Sequence, residues 1–275
     1  MAHGVTENYF IYILIFQLFG FLPCKLPANI LPRCVLKWIS YISFTYLLYH
    51  IVNVYLQHER ILYSKSLLGK FNDVIKSSSI YLCYVVTLLE SYFMRNDHFL
   101  FWKNIIAFDK LVKTENIKKS YKIHMKIVFL ICINLITCSI SFISNFGINE
   151  QPYLYFKYNY PALYICRVKH LQYFLYVNLI NERLTFVKHE LIILDKLFHN
   201  KRIKFNNEYK FKAIKRLKFI KECYDELLIA ISLLNECNGW SEVTNFLQLF
   251  LNLYSDIYFS FIAYFTIQGH SVHCK

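Results

Sequence analysis

Residues 223 to 265, CYDELLIAISLLNECNGWSEVTNFLQLFLNLYSDIYFSFIAYF, change character halfway along. Leu217, Ile220, Tyr224, Leu227, Ile231 and Leu234 lie three or four residues apart, which is the stripe of an amphipathic helix. From Val243 onward Asp256 is the only charged residue in the stretch. One helix that begins in water and ends in a membrane satisfies both halves, and few soluble folds tolerate such a segment.

The rest of the chain follows the same pattern. A hydrocarbon core of roughly 30 Å takes about 20 apolar residues of helix, and runs of that size recur about five times. With 56% hydrophobic residues, 19% aromatics and six glycines in 275 residues, the composition is not that of a soluble domain. The sequence predicts an all-α integral membrane protein, a polytopic helical bundle with spans near 38–56, 77–94, 127–146, 164–185 and 243–267. The fourth is the most charged at its start, with Arg167, Lys169 and His170.

Before these spans comes YFIYILIFQLFGFL at 9–22, too short to cross and ended by Pro23. No basic residue precedes it and no small-residue cleavage site follows, so it reads as an interfacial or packed helix within the N-terminal segment 1–37 and not as a signal peptide.

The net charge of +13 would suggest a nucleic acid partner in a soluble protein, but here the cations gather in two segments between apolar runs. One, 95–126, carries Arg95, Lys103, Lys110, Lys113, Lys118, Lys119, Lys122 and Lys126. The other lies within 186–240, where Lys188 to Lys221 holds eleven Lys or Arg residues and FHNKRIKFNNEYKF reads as a mobile loop. The positive-inside rule makes both cytoplasmic, which puts the N-terminus inside. No nucleic acid is expected, and residues 268–275 form a tail.

Ionisable residues within spans cost about 2.5 to 3.5 kcal/mol each at mid-membrane and are functional candidates for that reason. Asp256 is the most interior, Glu90 sits near the inner end of the second span, and Arg167 and Lys169 read as snorkelling boundary residues. Tyr81, Tyr84, Tyr164, Tyr173, Tyr258 and Tyr264 fall in the outer halves of spans. Their rings and hydroxyls suit a small organic ligand as well as an aromatic belt. The ligand-binding candidates are thus Tyr81, Tyr84, Tyr164, Tyr173, Asp256 and Tyr258.

Nothing points to catalysis or to a cofactor. The ten histidines make no HExxH or HxxHH box, the nine cysteines make no CxxC pair, and no phosphate-binding glycine loop occurs. Spans almost without glycine also argue against a secondary transporter.

Three segments resemble the insect gustatory receptor family, part of the seven-span insect chemoreceptor superfamily. FQLFGFLPCKL, with Gly20 and Pro23, is similar to the short apolar segment before the family's first span. LQYFLYVNLINERLTFVKHEL continues from membrane to cytoplasm around Arg183 as the family's fourth helix does. LLNECNGWSEV carries a Leu-Asn pair, Leu234 and Asn235, followed by Gly239 at the entry to the fifth span.

The resemblance implies a ligand-gated cation channel in the plasma membrane of sensory neurons. It further implies a homo- or hetero-tetramer of chemoreceptor subunits, opened by a small-molecule tastant and held together by cytoplasmic helix extensions. The stripes Leu184–Leu197 and Leu217–Leu234 match such extensions. The family's sixth and seventh spans, with a Thr-Tyr-x5-Gln pattern, are not found after Ile267, so the chain reads as truncated before them. Two alternatives accompany the gustatory reading: an odorant receptor of the same superfamily, and a pore-less accessory subunit that joins full-length partners.

Overall fold

The computed structural model describes residues 9–24, 26, 32–61, 67–112, 125, 127–133, 136, 152–199 and 207–273. Among them the chain is helical throughout and contains no strand. Seven helices follow in order: α1 Phe10–Leu18, α2 Arg33–Leu56, α3 His58–Ile61, α4 Leu67–Phe93, α5 Arg95–Val112, α6 Pro152–His199 and α7 Asn207–His273. Two segments within them, Cys34–Leu56 and Gly69–Phe93, are long and apolar enough to cross a membrane. They overlap the stretches expected as the first two spans, 38–56 and 77–94. The stretches expected as the fourth and fifth fall within α6 and α7, and the third falls largely outside the described residues.

Helix α1 is packed, as its sequence predicts. Ile13 and Phe16 are buried, and Phe21 and Leu22 follow them into the core. The turn after α1 explains Gly20 and Pro23. Phe21 N–H donates to Phe16 O at 2.8 Å and Gly20 N–H to Gln17 O at 3.0 Å, the paired bonds of a Schellman C-cap. Gly20 takes the left-handed conformation this cap needs, at φ +79°. Pro23 then prevents the helix from resuming.

Helices α4, α5, α6 and α7 form the body of the bundle, with α7 packed along the other three and α2 laid against α4. Segment 95–126, read from sequence as a basic loop, begins with a helix. In α5 the residues His98, Phe101, Trp102, Ile105, Phe108 and Asp109 turn inward, while Arg95, Lys103 and Lys110 stay exposed. The cations are real, but they decorate the back of a packed amphipathic helix.

Two apolar clusters fill the interior. The larger joins α1, α2, α4, α5, α6 and the end of α7's amphipathic half, at Ala230, Leu233 and Leu234. The smaller joins Phe108, Val187, Leu194, Ala213, Ile220, Cys223 and Leu227 of α5, α6 and α7. At 1.5 Å per residue, the 48 residues of α6 run about 70 Å and the 67 of α7 about 100 Å. Both outrun a hydrocarbon core of about 30 Å by a wide margin. The smaller cluster lies in these extensions, so the stripes predicted at Leu184–Leu197 and Leu217–Leu234 are packed where they face α5 and each other. The loop expected within FHNKRIKFNNEYKF lies at 200–206, outside the described residues.

Candidate ligand site

Pro161 sits inside α6, where it has no N–H to give the Lys157 carbonyl one turn earlier. In the same turn the Tyr158 carbonyl accepts the Tyr81 hydroxyl at 2.6 Å, which ties α6 to α4. Beside Pro161 lies a cavity of about 310 Å³ among α1, α2, α4 and α6. Its walls include Phe19, Ile42, Ser43, Tyr46, Tyr84 and Tyr164.

The volume suits a small organic molecule, and the lining is aromatic with few polar groups. Tyr84 is 1% exposed and forms part of the cavity wall. Phe19 and Tyr164 lie with ring centroids 6.2 Å apart and tilted by 59°, closing one side. The Gly20 turn supports the opposite wall, because a Cβ there would come within 3.1 Å of Ser43 Oγ.

Of the tyrosines singled out from sequence, Tyr84 and Tyr164 meet in this cavity. Tyr81 is committed to the Tyr158 carbonyl nearby, and Tyr173 is half-buried against the main core. Asp256 and Tyr258 are elsewhere. Asp256 is exposed and pairs with Lys76 of α4, while Tyr258 is exposed and stacks on Tyr254 with centroids 6.0 Å apart. Tyr46, which the sequence did not single out, completes the aromatic lining. It lies in the middle of the first span, where nothing but three-dimensional packing distinguishes it from Tyr41 and Tyr49.

Below the cavity a polar network joins the helices. Lys169 does not snorkel, contrary to the reading from its place near a span end. It is 0% exposed, donates to Ser91 Oγ at 3.1 Å and lies over the Phe21 ring at 5.9 Å. Its burial follows from the helix face it occupies, which it shares with Cys166 and Gln172. Gln172 in turn donates to Phe21 O at 3.2 Å and to the Tyr176 hydroxyl at 3.1 Å. Glu90 is also buried and interacts electrostatically with Lys169. Its carboxylate accepts the backbone N–H of Trp240 at 2.8 Å and of Ser241 at 3.1 Å, as well as the Ser241 hydroxyl. His98 is fully buried near Lys169, and burial above all holds its imidazole in the neutral form.

The LLNECNGWSEV segment lies partly in the core. Leu234 is buried, but Asn235 is exposed; the buried asparagine is Asn238, whose amide donates to Leu234 O at 3.2 Å. A Cβ on Gly239 would meet nothing within 4 Å. The glycine is therefore not required by packing; it sits one residue before the backbone that Glu90 holds.

Arg183 is buried and forks onto Asp109 of α5, Nε to Oδ1 at 3.0 Å and a terminal nitrogen to Oδ2 at 2.7 Å. Its remaining nitrogen donates to Leu179 O at 2.8 Å. Burial pushes the Asp109 carboxyl up, and the Arg183 guanidinium pulls it part of the way back. Asp109 lies in the basic segment and was not singled out, although its place beside Ile105 and Phe108 on one apolar face carries the signal. Among the described residues no group of His, Cys, Asp and Glu could hold a metal ion.

No curated protein and no solved structure matches the chain. The family model for the 7tm chemosensory receptors matches residues 9–274, nearly the whole length and including every helix described above. A helical bundle with two apolar spans, a cavity lined by tyrosines, and a match of that extent agree: the chain belongs to the 7tm chemosensory receptor family.

Proposed function

We propose that this chemoreceptor is of the gustatory type and takes a small organic tastant in the cavity between Tyr46, Tyr84 and Tyr164. The observation that carries this reading is the cavity of about 310 Å³ lined by Tyr46, Tyr84 and Tyr164. A ligand hydroxyl or amine would hydrogen-bond to a tyrosine hydroxyl while its apolar body rests on Ile42 and the rings.

The receptor is further read as a subunit of a ligand-gated cation channel, multi-pass in the plasma membrane of sensory neurons with its N-terminus inside. Leu191, Ile192 and Phe198 of α6 and Phe211, Ile214 and Leu217 of α7 are large, apolar and exposed on the extensions beyond the membrane. Exposed apolar surface in water marks an interface, which supports assembly into a homo- or hetero-tetramer through these helices. The same surface favours a second reading, an accessory subunit recruited to other chemoreceptor subunits.

The test is thermal stabilisation of the purified chain in detergent by a panel of sugars, bitter alkaloids and volatile odorants. Stabilisation by a sugar or bitter compound that Ile42→Trp abolishes, by filling the cavity, supports the reading. Stabilisation by volatile compounds alone would assign the chain to the odorant type. A response unchanged in Ile42→Trp would place the ligand elsewhere.

A further inference from the structure

A second, larger cavity of about 610 Å³ lies at the N-terminal end of α2. Its walls include Pro23 and Cys24 from the turn after α1, Cys34, Leu36 and Lys37 from the first turns of α2, and Arg95, Asn96 and Phe99 from the start of α5. No acidic residue is among its described walls, and neither Lys37 nor Arg95 is paired with a described carboxylate. Arg95 instead lies over the Tyr92 ring at 5.9 Å. Two cations thus share a hollow of mixed polarity with no carboxylate among its described walls.

The N-terminus of α2 borders the same hollow. Pro32 caps α2 without a side-chain acceptor and no acidic residue follows in its first turn. The first-turn N–H groups of α2 add partial positive charge to that of the side chains, whereas the first turn of α5 carries Asp97 and adds none.

Its depth in the membrane is marked independently. The span in α2 starts at Cys34 and the span in α4 ends at Phe93, so the hollow opens where one apolar segment begins and its neighbour ends. Trp38, Tyr41 and Phe93 are exposed at this level, and Trp38 and Tyr41 pair edge to face at 6.2 Å. Such a girdle of aromatics lies at the headgroup layer.

We propose that this hollow binds the phosphate of an anionic lipid headgroup, with Lys37 and Arg95 as its charged contacts and Asn96 as a neutral donor. Cations at that depth face phosphates and not water alone, and the volume admits a headgroup larger than bare phosphate. The N-inside orientation proposed above makes this the cytoplasmic leaflet, the one that carries anionic lipid. The binding itself does not depend on that orientation or on any tastant.

The experiment is native mass spectrometry of the full chain in maltoside detergent, titrated with dioctanoyl phosphatidylinositol 4-phosphate and, separately, dioctanoyl phosphatidylcholine. The phosphoinositide should be retained in preference to phosphatidylcholine. Lys37→Gln and Arg95→Gln should each weaken it about fivefold, and the pair about 25-fold. Lys37→Arg with Arg95→Lys should stay near wild type, and Asn96→Asp should lose binding by placing a negative charge in the hollow. Melting temperatures identify any variant that fails to fold, and the charge-conserving pair then carries the comparison. Equal retention of both lipids, or equal binding by the double Gln variant, would overturn the proposal. Displacement by inorganic phosphate at sub-millimolar concentration would overturn the lipid as its source.

Discussion

Arg183 and Asp109 close a bidentate ion pair at the seam between the two apolar clusters of the bundle. Ile105, Leu179 and Ile180 lie on one side of it in the larger cluster, and Phe108 and Val187 on the other in the smaller. Taking two charges out of water is costly, and the pair recovers the cost only while both partners are present. Arg183→Met should therefore destabilise the protein by about 3–5 kcal/mol, because it removes the guanidinium that faces both oxygens of a buried carboxylate. Asp109→Leu combined with Arg183→Met should be much closer to wild type. Melting curves of the two singles and the double in detergent form the cycle, and additive losses would show that the pair is not coupled.

Gly20→Ala should cost about 1–2 kcal/mol, since a Cβ is unfavourable at φ +79°. The added methyl would also press on Ser43, so ligand binding in the neighbouring cavity should weaken as well. Gly20→Asn, which tolerates the left-handed region better, should lose less stability. The comparison of the two melting temperatures checks the backbone argument directly.

Glu90→Gln keeps an acceptor but removes the negative charge that faces Lys169. The expected loss is about 1.5–3 kcal/mol, the range for a hydrogen bond to a charged group. Adding Lys169→Met to Glu90→Gln should restore part of it, because the buried cation then no longer lacks compensation. No recovery in the double variant would mean that the two charges act independently.

Cys223 is buried, and burial, helped by Glu222, Glu190 and Glu226, raises its thiol to about 11. A folded-state value above the unfolded one means that the stability contributed by this group is complete below about pH 9 and is lost as pH rises through 11. Iodoacetamide should leave Cys223 unmodified at pH 8 in the folded protein and modify it at once in denaturant. Prompt reaction at pH 8 under native conditions would show that the site opens.

The orientation predicts that cysteines introduced by Lys118→Cys and Lys204→Cys in a cysteine-light background resist a membrane-impermeant reagent applied to intact cells. Glu59→Cys, exposed beyond the far end of α2, should be labelled. Labelling at position 118 or 204 would reverse or break the proposed topology.

The helices and the stripe on α7 were legible because apolar spacing is a local property of the chain. The apolar helix over 9–22 was legible for the same reason, with Pro23 as its stop, although the cap at Gly20 ends it earlier, at Leu18. What sequence did not yield was pairing across helices. Asp109 was hidden among lysines, although its neighbours Ile105 and Phe108 give the inward face away. Lys169 read as a boundary residue because position along the chain says nothing about which face of α6 meets α4. Tyr84 and Tyr164 shared a feature with many other tyrosines, and only their meeting in one cavity beside Pro161 separated them from the rest.

The hold of Glu90 on the Trp240 and Ser241 amides has one more consequence. A long helix with a repeating apolar stripe can shift along its neighbours by one turn, about 5.4 Å, and present nearly the same surface. Backbone amides are identical at every residue, but a carboxylate on a fixed helix reaches only the two at its own height, and only Ser241 adds a hydroxyl there. Glu90 acts as a detent: it indexes α7 lengthwise, so that the position of its far end is set from inside the bundle.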